Sequence, residues 1–185
     1  MDGKMKKILI IFLMVFMFLI SGVVVFAANS YWVNPRSIRT YIEPNSKKEL
    51  MKQAFAKWSI VTHDKIIFKY VSSPENAQIR VKFVKDASRA GLEQAIGVTH
   101  SQRNMATGEL VFAQIDIADH VPGSAGKLMP KDRIYRAMVH EIGHAIGLLD
   151  HSTDRASIMY PAAISRNQAI IQSDLNALAK AYKWK

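Results

Sequence analysis

The hydrophobic positions of this chain fall into three kinds of pattern. An almost unbroken apolar run comes first, over residues 8–26, interrupted only by Ser21 and Gly22. Alternating segments follow. Residues 37–42 (SIRTYI) alternate polar and apolar positions, as a half-buried strand does, and residues 66–71 and 78–84 predict two more strands. In the third, Ile79, Val81 and Phe83 point one way and Arg80 and Lys82 the other, because successive strand side chains change face. Residues 109–117 (ELVFAQIDI) predict a fourth strand. Helical spacing marks the remainder. After a turn over residues 43–46, with Ser46 as a cap, Leu50, Ala54, Phe55, Trp58 and Val61 form one apolar, core-facing stripe. From Lys131 onward, Ile134, Ala137, Met138, Ile142 and Ala145 recur at three- and four-residue steps, and Gly147 predicts the helix end. A last helix over residues 173–182, capped by Ser173, carries Leu175, Leu178, Ala179 and Tyr182 on one face. Residues 87–107 and 118–130 are polar or rich in Gly and Pro and predict loops, the first wrapped around Ile96-Gly97-Val98. The order β-α-β-β-β-α-α predicts an α/β (α+β) domain, a sheet backed by helices.

The apolar run at the start changes where that domain begins. Lys4, Lys6 and Lys7 precede it, and Val25 and Ala27 are small residues at the −3 and −1 positions for a cut before Ala28. Residues 1–27 are therefore expected to be a secretory signal peptide, and 28–185 the exported domain. The run is also about as long as a membrane span needs, which leaves an uncleaved anchor with the domain outside as the alternative. Removing residues 1–27 takes away three lysines and one aspartate, leaving 22 basic and 14 acidic groups and a formal charge of +8. That balance favours solubility and attraction to anionic surfaces such as cell-wall polymers or lipid head groups. No stretch interleaves basic and aromatic residues, so nucleic acid is not an expected partner. The absence of cysteine excludes disulfides, thiol catalysis and cysteine-ligated zinc, so any metal must be held by nitrogen and oxygen.

The predicted helix from Lys131 carries the chemistry. His140 and His144 lie four residues apart, so both imidazoles sit on one helix face, at the spacing for two-point capture of zinc. Glu141 stands about 100° around the helix and reaches a water in the metal's open position, where a carboxylate serves as general base. A core helix holding H-E-x-x-H by chance would bury three polar groups at a cost. It would also tolerate Gly143, worth roughly 1 kcal/mol against alanine in a helix, for no reason.

The runs HEIGHAIG (140–147), LDHS (149–152) and SIMYP (157–161) resemble the metzincin metalloproteases, and among them the matrixins. The resemblance implies a mixed, twisted sheet with an antiparallel edge strand, backed by helices, with one catalytic zinc in a cleft. It implies a zinc endopeptidase acting on peptide or protein substrates. It makes Gly147 the glycine that turns the chain toward a third ligand and Met159 the Met-turn residue beneath the metal. More weakly, the segments around Trp32, AFAKWS, IGVT (96–99) and SDLNALAKAY extend the likeness over about residues 31–185. By the same likeness the 109–117 strand would be the sheet edge that pairs with substrate, with Ala113 as a backbone contact. The cysteine with which latent matrixins block their zinc has no counterpart here.

The third ligand has two readings. The usual spacing H-E-x-x-H-x-x-G-x-x-H lands on Asp150, as in the few metzincins that resemble snapalysin, and a carboxylate oxygen is an acceptable zinc ligand. Counting back from the Met-turn instead selects His151, with one leucine inserted after Gly147. His151 is favoured, with Asp150 then a loop-stabilising neighbour. Asp116, Asp119 and His120 are read as a solvated strand end in preference to an accessory calcium site. His63 and His100 are read as surface residues. A non-catalytic binding protein on the same scaffold, using its basic surface, is the rival class, and it would have no need of Glu141.

Overall fold

The computed structural model describes residues 30–87, 95–124, 126–161 and 167–184; the predicted leader at 1–27 lies outside them. Five strands, β1 (Ile38–Ile42), β2 (Phe68–Tyr70), β3 (Ile79–Val84), β4 (Gly97–Arg103) and β5 (Leu110–Ala118), form one sheet in the order β2-β1-β3-β5-β4. All neighbours are parallel except β4 and β5, which pair antiparallel. The helices are α1 (Lys48–Val61), α2 (Lys131–Ala145) and α3 (Gln172–Tyr182). Among the described residues no helix is long and apolar enough to cross a membrane.

The hydrophobic patterning places the core. Ile38, Ile42, Ile79, Val81, Ile115 and Ile117 on the sheet meet Met51, Ala54, Phe55 and Trp58 of α1 and Ile134, Met138 and Ile142 of α2. Each of the isoleucine, valine, methionine and phenylalanine side chains removed from water stabilises the fold by roughly 1.5–3 kcal/mol. Helix α2 packs on β4, β5 and α1, and this fixes its histidine-bearing turn against the antiparallel corner of the sheet.

The ends of the domain hold the end of that helix. The Trp32 indole donates to the Ala145 carbonyl at 3.0 Å, and the Tyr182 hydroxyl donates to Ile146 at 2.9 Å. Both carbonyls belong to the last turn of α2, where no helical partner remains for them.

Four expectations need correction. Residues 97–103, read as part of a loop, are strand β4; Val98 alone among them is buried, so its apolar alternation is weak and its pairing with β5 supplies the order. In consequence the 109–117 segment is not the sheet edge. Strand β5 is paired on both sides, Ala113 opposite Ile79 and Ser101, and Ala113 is fully buried with no free backbone to offer a substrate. On this side of the sheet the edge belongs to β4. Ser46 does not cap α1, which begins at Lys48; Asn45 Oδ1 instead accepts from Lys47 N at 2.9 Å. Ser173 lies inside α3, and Asp174 does the capping by accepting from Ile171 N at 3.0 Å.

Candidate metal centre

The last two turns of α2 present His140 and His144 on one face, as their spacing requires. The chain then leaves the helix at Gly147, whose φ of +117° suits glycine. Space demands glycine there as well: a Cβ would lie 2.1 Å from the Ser30 carbonyl oxygen. Past this turn the chain folds back and brings His151 to the same point. His144 Nε2 stands 3.1 Å from His140 Nε2 and 3.3 Å from His151 Nε2. Asp150, the alternative reading, is exposed and is not part of this group.

The rings are fixed by their other nitrogens. His140 Nδ1 donates to the Ile158 carbonyl at 2.7 Å and His144 Nδ1 to the Leu148 carbonyl at 2.6 Å. Each neutral ring therefore carries its proton on Nδ1 and turns an unprotonated Nε2 inward. Two lone pairs 3.1 Å apart with no proton between them repel unless a cation is shared. Nitrogens about 2.0–2.1 Å from a tetrahedral zinc stand roughly 3.3–3.4 Å apart, so the donor set and its spacing fit that ion.

Burial reinforces the neutral state, holding His140 down at about 4 and His144 at about 3. Desolvation lowers His151 too, with the neighbouring Asp150 carboxylate pulling the other way. Burial pushes the Glu141 carboxyl up to about 7 against the Thr99 hydrogen bond, which lowers it. These shifts set the acid response of the metal-free chain. The two histidines are depressed in the folded state, so the stability they contribute is complete above about 6.5 and is lost as pH falls toward 4 and 3. Glu141 is raised, so its contribution is complete below about 4.5 and is lost as pH rises through 7. Two groups outweigh one. The thermal midpoint of the chelated chain should therefore fall as the buffer is acidified from about 6.5, most steeply below about 4.5, and a flat midpoint across that window would contradict the burial of neutral imidazoles.

Met159 lies beneath the cluster. It is buried, and a Cβ on Gly143 would come within 2.4 Å of its Sδ, so the glycine between the two helical histidines is what lets the sulfur reach the helix backbone. Backbone groups beside it tie the site together: Ile158 O receives His140 Nδ1, and Met159 O receives Ser152 N at 2.9 Å. The turn is held in its place by a buried relay in which Asp174 Oδ1 accepts from Ser157 Oγ at 2.6 Å, and Ser157 Oγ accepts from Met159 N at 2.8 Å. Met159→Ala should cost roughly 2–5 kcal/mol in denaturant unfolding, because this packed site has little room to collapse. A variant as stable as the parent would show that the sulfur bears no packing load.

Glu141 points from α2 toward β4. Its Oε2 accepts from Thr99 Oγ1 at 2.7 Å, and Thr99 Oγ1 is also 3.0 Å from the Glu141 carbonyl oxygen. A Cβ on Gly97 would lie 2.5 Å from Glu141 Cγ. Neither Thr99 nor Gly97 stood out in the sequence as part of the site. The signal available was the alternation of GVTHSQR, which puts 97 and 99 on one face of a strand.

The other candidates stay apart from this cluster. Asp119 is hydrogen-bonded to the ring of its neighbour His120, and Asp116 accepts from Gln114 Nε2 at 2.9 Å. Among the described residues, His140, His144 and His151 are the one group placed to share a metal. His63 and His100 are exposed.

A histidine triad on this helix, turn and mixed sheet defines a metzincin-type metallopeptidase domain. The family model of the matrixins, peptidase family M10, matches residues 28–183, and the chain belongs to that family. Two structures of myroilysin share the fold with TM-scores of 0.55 and 0.53, each at 16% identity; they cover 84% and 83% of this chain and 83% and 86% of theirs. Archaemetzincin from Methanopyrus kandleri aligns at TM-score 0.49 and 14% identity over 87% of this chain and 99% of its own. No curated protein matches the sequence.

Proposed function

We propose that this chain is a secreted zinc endopeptidase in which His140, His144 and His151 hold the metal and Glu141 is the general base. The observation that carries it is the convergence of three inward Nε2 atoms, their ligand atoms all within 4.8 Å of one another, one residue away from a buried carboxylate. Bound zinc supplies Lewis acidity, polarising a substrate carbonyl and acidifying water. The chain's own groups do the rest. Glu141 takes a proton as the water oxygen bonds to the carbonyl carbon, and returns it to the nitrogen as the C–N bond breaks. Its raised proton affinity suits both transfers, since a base near neutrality also serves as an acid.

Strand β4, last in the sheet order and packed beside the helix that bears the triad, is where an extended peptide would add to the sheet. Residues 1–27, as a signal peptide, would place the domain outside the cell, where its net positive charge favours anionic polymers. The test is hydrolysis of an unstructured protein such as casein near neutral pH by the full chain. Cleavage should stop on chelation and return with zinc; a zinc-loaded, folded chain that cleaves nothing across a broad peptide library would overturn the proposal.

A further inference from the structure

We propose that Thr99 is a positioning residue: its hydroxyl pins one oxygen of the Glu141 carboxylate to the edge strand, so that the base keeps one orientation during proton transfer. This rests on Glu141 being the base. The hydroxyl has a single proton and faces two acceptors, the carboxylate at 2.7 Å and the Glu141 carbonyl at 3.0 Å. The shorter contact goes to the group that carries charge when ionised, where such a bond is roughly twice as strong as a neutral one. Threonine suits the task, because branching at Cβ stiffens its first torsion and its backbone is locked opposite Ile115 in the sheet. Glutamate does not suit it unaided, since its terminal torsion is broad. Two residues back on the same face, Gly97 leaves the space that Glu141 Cγ and Oε1 occupy; a Cβ there would sit 2.5 and 2.9 Å from them. One strand position thus gives the carboxylate room and the next gives it a donor. Among the described residues no other side chain is hydrogen-bonded to it.

The rival is a purely structural strap, in which the hydroxyl matters only through the Glu141 carbonyl. Thr99→Val, which keeps shape and removes the donor, separates the two when assayed on the full chain with a quenched fluorescent peptide. Positioning lowers kcat roughly 10–100-fold, the loss seen when an orienting partner is removed. It should leave KM within about twofold, the pattern of an interaction that matters to the chemical step. Zinc content and thermal midpoint should match the parent, and Thr99→Ser should restore most of kcat. A Thr99→Val chain with parental kcat would overturn the inference, as would a loss of kcat that comes with loss of zinc or folding and is not recovered in Thr99→Ser. A zinc-loaded parent that hydrolyses nothing would defeat the peptidase reading and this inference together. An active parent with an unaffected Thr99→Val defeats this inference alone.

Discussion

Glu141→Gln should leave the chain folded and zinc-loaded while lowering kcat/KM by about 10²–10⁴-fold or more, the scale of a lost general base. The substitution is nearly isosteric, which matters because the side chain is buried between α2 and β4. The amide oxygen still accepts from Thr99, so the hydroxyl keeps its partner, and a neutral amide has no charge to desolvate. Turnover and zinc content must be measured on the same preparation. Loss of zinc from a folded Glu141→Gln chain would make the carboxylate a ligand, and parental turnover would remove it from the chemistry.

The second large effect concerns the loop that follows α2. His151→Ala should weaken zinc binding by more than the roughly 10–100-fold that loss of an outer partner costs, whereas Asp150→Ala should stay within that range. The reason is geometric. His151 Nε2 stands 3.3 Å from His144 Nε2, and the exposed Asp150 carboxylate lies outside the cluster. Both side chains are exposed, so neither truncation opens a core cavity, and competition with a chromophoric chelator reads the affinity directly. A zinc-free Asp150→Ala chain beside a zinc-replete His151→Ala chain would reverse the assignment.

What the sequence made legible follows from what each pattern encodes. Helix α2 could be read because its apolar residues repeat at helical steps over four turns, and the same period puts His140 and His144 on one face. The core stripe of α1 was readable for the same reason, and the faces of β3 from their two-residue alternation. Strand β4 was not, because an edge strand with one buried residue looks like a polar loop until its partner is known. Strand order is not a local property, which is why 109–117 was given the edge that β4 holds and Ala113 a role its burial forbids. Thr99 fell within the IGVT likeness, but its place beside the site was hidden by the same misreading: a hydroxyl in a polar stretch shows no such role until α2 packs against it. The loop between Gly147 and the Met-turn left Asp150 and His151 open because motif counting cannot say how a turn absorbs one extra residue. The fold-back itself brings His151 inward.

Metal analysis of the purified full chain by mass spectrometry tests the triad most directly. One zinc per folded chain is expected, removable by chelation, recovered on reloading, and absent from His144→Ala. A folded parent chain that takes up no transition metal, or a His144→Ala chain that keeps its full zinc, would contradict it.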